Sequence, residues 1–238
     1  KLLNTLIYKT NIIDFDYSYD IRKPQIPTVY IATTHEIHSF QIPISKNNPI
    51  IKVPDRDIEI KSIAIFPESI VALFNNNYAV PYSLLEHTWK NPITIPFKQE
   101  INTLKRFNDL IFFQTGANKI SVFDSTKYQL VNWKDLKTQA ILECYFPDNS
   151  NDGYFKTIEK DVIVVNIETM RVLHTVSLYD MCMFKLAIQS YGNSIFAYND
   201  EATLKYTQNF QLDGQFDFGT TLMHVEFGLI FFLSETSQ

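Results

Sequence analysis

The 238-residue chain is 45% hydrophobic and 20% charged, with a formal net charge of −5 and a pI near 5.5. That suits a folded globular body and argues against the clustered basic surface of a nucleic-acid groove. It contains 19 Phe and 13 Tyr but only 6 Gly, and aromatic and β-branched residues favour a pleated, half-buried surface.

In chain order, an apolar strand at residues 2–8 precedes a first unit of strands at 12–15, 28–32 and 36–40. A second unit follows at 60–66, 70–74 and 78–82, with residues 80–85 ending a strand rather than starting a helix. The third is the clearest: 101–107 alternates, 110–114 is apolar on both faces as a buried central strand is, 119–124 alternates again, and 128–133 leaves the unit. A fourth occupies 141–146, 153–158, 162–166 and 172–176, a fifth 184–188, 195–198 and 202–206, and a last one 221–225 and 229–232. Inner strands starting at Ile12, Ile60, Ile101, Ile141, Phe184 and Thr221 give steps of 48, 41, 40, 43 and 37 residues. Short strands in fours at a period of about forty predict an all-β fold, a β-propeller of four-stranded blades. The expected form is WD40-like without WD motifs, since no unit ends in Trp-Asp. Five blades plus parts of another imply a ring of six or seven with part missing, in one domain over residues 1–238.

No apolar run reaches the roughly 18–20 residues needed to span a bilayer. The two cysteines, Cys144 and Cys182, have no metal or redox spacing, which fits a reduced, cytosolic compartment; Cys144 reads as packed. The chain opens at Lys1 without a signal peptide or initiator Met, so it is expected to be the N-terminal part of a larger protein.

The search for chemistry yields structural readings. His35 and His38 lie three apart in a hairpin with no Cys or carboxylate cluster at metal spacing. His174, in the strand at 173–175, reads as a satisfied blade residue; the remaining two histidines are His87 and His224. Asp14 and Asp16 flank Phe15, and Asp55 and Asp57 flank Arg56. Paired acids can serve glycoside hydrolysis or calcium binding, but residues two apart on a strand simply share a face. Trp89 and Trp133 read first as blade packing and second as binding hot spots. Phosphate loops, nucleophile elbows and zinc helices are missing from the sequence. No catalytic, cofactor-binding or metal residue is assigned, no cofactor is expected, and the chain is read as non-enzymatic.

Read in order, the units resemble a citron-homology (CNH) domain, the propeller found in subunits of the CORVET and HOPS tethering complexes and in some Rho exchange factors and kinases. The resemblance is carried by residues 29–40, by 63–84 with its Tyr82-Ser83-Leu84 ending, by 196–201, where Ala197 stands in place of the family's Cys, and by 227–232. It implies protein partners in a larger complex, a Rab-type small GTPase among them, and indirect, peripheral association with endosomal or vacuolar membranes. A second, local resemblance places residues 162–175 beside one blade of the phosphoinositide-binding propellers of autophagy. Those proteins use adjacent arginines, whose guanidinium groups bind phosphate bidentately. Here Arg22, Arg56, Arg106 and Arg171 are dispersed. A scaffold in an unrelated assembly is the remaining alternative.

Overall fold

The computed structural model describes residues 11–20, 23–41, 49–137, 140–146, 150–159, 161–177, 185–189, 194–198, 203–207, 211–216, 222–226 and 229–233. The expected strand at 2–8 lies outside them, as does Cys182. The chain divides into two compact units, Lys1–Trp133 and Lys134–Gln238.

The first unit holds three four-stranded sheets, apart from the last two residues of the third sheet's outer strand. They are β1 (Ile12–Asp20), β2 (Lys23–Thr33), β3 (Glu36–Gln41) and β4 (Ile51–Lys52); β5 (Ile60–Ile65), β6 (Ser69–Phe74), β7 (Ala79–Ser83) and β8 (Thr88–Trp89); then β9 (Ile101–Phe107), β10 (Leu110–Thr115), β11 (Lys119–Asp124) and β12 (Leu130–Asp135). The second unit holds β13 (Ile141–Tyr145), β14 (Asp152–Thr157), β15 (Asp161–Asn166) and β16 (Arg171–Ser177); β17 (Lys185–Gln189), β18 (Ser194–Tyr198), β19 (Thr203–Thr207) and β20 (Leu212–Phe216); and a pair, β21 (Leu222–Glu226) with β22 (Leu229–Leu233). Each four-stranded sheet pairs its strands in sequence order. β1 and β2 run beyond the expected 12–15 and 28–32, and the two-residue outer strands β4 and β8 had no expected range. The fourth strand of the third sheet begins at Leu130, because Tyr128 takes a positive φ of 55° in the turn before it. The fourth strand of the fifth sheet, β20, carries too little apolar alternation to be read in advance.

One device recurs at the start of the inner strands. Ladder register shifts fall between Ile12 and Asp14, between Ile60 and Ser62, opposite Ile101 and Thr103, and between Ile141 and Glu143. Each is a β-bulge at the second residue, and a bulge turns every later side chain to the other face. In the second and third sheets the initial Ile therefore shares a face with the residue three further on. Ile60 and Ile63 pack with Tyr30, Ala32 and Ile37 of the first sheet. Ile101 and Leu104 pack with Ala64, Val71 and Leu73 of the second. The first three sheets thus share their cores, and β6, buried at every position, is apolar on both faces because both are covered.

Backbone bonds repeat in step with the bulges. The N–H groups of Asn75, Gly116 and Ile158 donate to the carbonyls of Glu59, Glu100 and Ala140, the residues just before the inner strands, at 2.9, 2.8 and 2.9 Å. Those of Leu84, Ser125 and Ile167 donate to the carbonyls of Glu68, Asp109 and Asn151, the residues just before the second strands.

The core carries two polar faults. Thr115 Oγ1 on β10 and Ser121 Oγ on β11 are buried without a hydrogen-bond partner. An unsatisfied buried hydroxyl costs about 1–3 kcal/mol. Ser121→Ala and Thr115→Val are therefore expected to raise the melting temperature, by about 2–4 °C for each kcal/mol regained. A scanning-calorimetry shift downward in both variants would mean that the hydroxyls have partners after all.

Candidate functional site

The paired aspartates of β1 meet the neighbouring sheet. Asp14 Oδ2 accepts from Ser62 Oγ at 2.7 Å and from the Ile63 N–H at 2.9 Å, and Asp16 Oδ2 accepts from the Ile65 N–H at 2.8 Å. Their second oxygens accept from the Phe15 and Tyr17 N–H groups at 2.9 and 2.8 Å. Both carboxylates lie on one face of β1, as their spacing implied, and extend hydrogen bonding onto the inner strand of the next sheet. Ser62 Oγ also donates to the Leu104 carbonyl at 3.2 Å, so the polar third residues of β1 and β5 are tied to the backbone of β9. Burial pushes the Asp16 carboxyl up to about 6, against the pull of the Ile65 and Tyr17 N–H groups and of Arg106. Asp55 and Asp57 belong to an exposed turn, where Asp55 Oδ1 accepts from the Asp57 N–H at 3.0 Å.

A second set of polar residues shapes the turns after the third strands, a pattern missed in the sequence. Those strands end in Ser83, Asp124 and Asn166. Ser83 Oγ accepts from the Glu86 N–H, and Asn166 Oδ1 from the Thr169 N–H and Oγ1. Asp124 Oδ1 accepts from Thr126 N–H and Oγ1 and from the Lys127 N–H, at 2.8, 2.6 and 2.7 Å. Four residues beyond each cap, His87, Tyr128 and Met170 have the same φ of 55°. The visible signal was a short polar side chain closing an apolar strand, the Asx- or ST-turn pattern. Thr126 and the turn amides hold the Asp124 carboxyl below its usual range, so its stabilising contribution is present above the unfolded carboxylate pKa and is lost as pH falls through the folded one. Asp124→Ala is expected to cost about 1 kcal/mol near neutral pH and progressively less in acid. Equal costs at pH 7 and at pH 3 in urea melts would contradict this role for the carboxylate.

The described histidine side chains do not converge. His38 Nε2 lies 3.2 Å from Glu36 Oε2, and His35 and His87 are exposed in turns. His174, read as a blade residue, lies on β16, the outer strand of the fourth sheet, and is exposed there. The His224 side chain lies outside the described residues. Among the described residues no group of three His, Cys, Asp or Glu could hold a metal ion. Arg106 sits over the Phe66 ring and donates Nε–H to the Asn108 carbonyl at 3.0 Å. Cys144 is half-buried.

The two tryptophans part company. Trp89 is a packing residue: its Nε1–H donates to the Lys52 carbonyl at 2.9 Å, and its ring meets Phe74 and Tyr82 at centroid distances of 5.6 and 5.1 Å. Trp133 is 47% exposed on β12, beside Leu130 and Val131 at 38% and 57%. Its ring meets Phe97 at a centroid distance of 5.2 Å and a tilt of 59°, and Lys119 Nζ sits over the Phe97 ring at 5.8 Å. Trp89 is thus a packing residue, while Trp133 packs on Phe97 and leaves nearly half of its surface exposed.

No family model and no curated protein matches the chain. Among solved structures it is similar to the Myceliophteria thermophila Cps50 (Swd1) β-propeller domain, with a TM-score of 0.72 at 8% identity over 95% of this chain and 81% of that one. The fold is a WD40-like β-propeller. The five four-stranded antiparallel sheets among the described residues are its blades, and the caps at Ser83, Asp124 and Asn166 close the turns between third and fourth strands without any Trp-Asp pair. Another 1565 solved chains also match, as expected of an architecture that serves many unrelated functions; the likeness therefore carries the fold and no activity.

Proposed function

We propose that this chain is a non-enzymatic interaction propeller that holds protein partners in a multiprotein assembly. The supporting observation is how its chemistry-bearing residues are used: Asp14, Asp16 and Asp124 bind backbone amides, while apolar and aromatic side chains lie on an outer strand. Rigid blades carrying loops and outer strands suit docking without internal chemistry. At the finer level, the resemblance of residues 29–40, 63–84, 196–201 and 227–232 to CNH domains supports a subunit of an endosomal or vacuolar tethering complex that engages a Rab-type GTPase. Membrane contact would then be indirect, and the chain cytoplasmic. A generic scaffold role rests on the fold alone. A phosphoinositide-binding role has less behind it, since Arg106 is committed to Phe66 and the Asn108 carbonyl.

The test is retention of endosomal and vacuolar Rab GTPases, each loaded with a GTP analogue or GDP, on the immobilised full chain. Selective capture of one GTP-loaded Rab is the expected result. Capture of none in a nucleotide-dependent way would overturn the tethering reading and leave the scaffold.

A further inference from the structure

An Asp-Gly step is where a polypeptide most readily rearranges its own backbone, because glycine puts no side chain beside the attacking nitrogen and leaves the chain free to turn. The sequence has two such steps, Asp152-Gly153 and Asp213-Gly214, and the fold treats them oppositely. Asp152 and Gly153 sit in register on β14, opposite Asn166 and Val165. Gly153 is buried, a Cβ there would meet Ile167 Cδ1 and Phe146 Cε1 at 2.8 Å, and Asp152 Oδ1 accepts from Asn166 Nδ2 at 3.3 Å. Asp213 and Gly214 lie on β20, the outer strand of the fifth sheet. Lys205 stands opposite Gly214 and Tyr206 opposite Leu212, so Asp213 is the extra residue of a β-bulge and has no counterpart across the ladder. Asp213 is exposed, and a Cβ on Gly214 would meet nothing within 4 Å. Lys205 Nζ lies 2.5 Å from Asp213 Oδ2, and both side chains are part-exposed.

We propose that Asp213 is a site of isoaspartate formation, which the fold confines to this one of the two Asp-Gly steps and which Lys205 restrains. The Gly214 nitrogen attacks Asp213 Cγ. The N–Cγ bond forms, one carboxyl oxygen leaves as water with the amide proton and a proton from solvent, and a five-membered succinimide results. Water then opens the ring at Cγ, restoring Asp213, or at the main-chain carbonyl carbon, leaving the chain running through Cβ. Nothing is oxidised or reduced, and the product is an isomer. The carboxyl must turn onto the following nitrogen, a motion open to the bulged residue and denied to Asp152 in its ladder. The Lys205 contact must break first, and a surface ion pair restrains that motion only weakly. The isomer carries an extra methylene in its main chain, so Gly214, Gln215 and Phe216 lose register with Lys205, Leu204 and Thr203. β20 then parts from β19, which becomes the new edge of the sheet.

The test ages the full chain for weeks at neutral pH in heavy-oxygen water, then maps its peptides by electron-transfer fragmentation, with isoaspartyl methyltransferase labelling as an independent readout. Isoaspartate carrying a solvent oxygen is expected at Asp213 and not at Asp152 in the folded chain, and at both steps in guanidinium. Lys205→Gln should speed the reaction about threefold. Gly214→Ala, which has room for its methyl group, and Asp213→Glu, which keeps the charge but closes a larger ring, should reduce it to the level at Asp152. Circular dichroism checks that each variant is folded, and amide exchange on β19 should rise in the isomerised fraction. The proposal is overturned if the folded chain isomerises at Asp152 as fast as at Asp213. It is equally overturned if Asp213 gains no label by the time the guanidinium sample has, or if folded Gly214→Ala isomerises as the parent does. Neither result bears on the Rab experiment, which is decided on its own.

Discussion

Phe113→Ala is expected to destabilise the chain by about 3–5 kcal/mol, the cost of deleting a large side chain from a core that cannot fully collapse around the hole. Phe113 is completely buried on β10, meets Phe123 edge-on at 5.3 Å and 88°, and belongs to the cluster that joins the second and third sheets. The ring thus lies where two blades share a core, and its loss should lower the urea midpoint without new exposed surface in the native state. Val131→Ala, at a site 57% exposed, is the control and should stay within about 0.5 kcal/mol of the parent. A Phe113→Ala effect as small as the control's would mean that the blades are held mainly by their own ladders, and that packing between them contributes little.

Asp16→Asn is expected to make stability less dependent on pH between about 4 and 6. The Asp16 carboxyl is raised from 3.8 to about 6 by burial. Below the unfolded value both states are protonated, and the group's favourable contribution is fully present. As pH rises through the folded value that contribution is lost, because the folded state must then hold a desolvated charge. The two values correspond to about 3 kcal/mol between the ends of the window. Asn stays neutral throughout but keeps only one oxygen acceptor for the two amides of Ile65 and Tyr17, at a cost of about 1 kcal/mol. The variant should therefore be slightly less stable than the parent at pH 4 and more stable at pH 7. Parallel stability curves for the two proteins, from urea melts every half pH unit, would show that the Asp16 carboxyl is not desolvated in the folded chain.

The fate of the acids illustrates how far a sequence carries function. That Asp14 and Asp16 share a strand face follows from the period of two. That they grasp the backbone of a different sheet depends on how β1 lies against β5, which no local pattern encodes. The tryptophans have similar sequence settings, yet one packs, partly buried, against Phe74 and Tyr82 and the other stands on an edge. Exposure is set by which neighbouring segments cover each ring. The turn caps at Ser83, Asp124 and Asn166 were within reach of sequence reading, because an Asx or ST turn is a local interaction between residues two or three apart.

By itself, the sequence determined the class and the repeat: short apolar strands in groups at a period of about forty, with Ile12, Ile60, Ile101 and Ile141 opening their inner strands. Those features are local, written in the alternation of side chains and in the turn residues between them. Only the tertiary structure decided the bulge after each of those isoleucines, the burial that raises Asp16, the unpartnered hydroxyls of Thr115 and Ser121, and the exposed edge at Trp133. Each of these depends on a contact, or on the lack of one, between residues far apart in the chain, and its energy exists only once the sheets have packed.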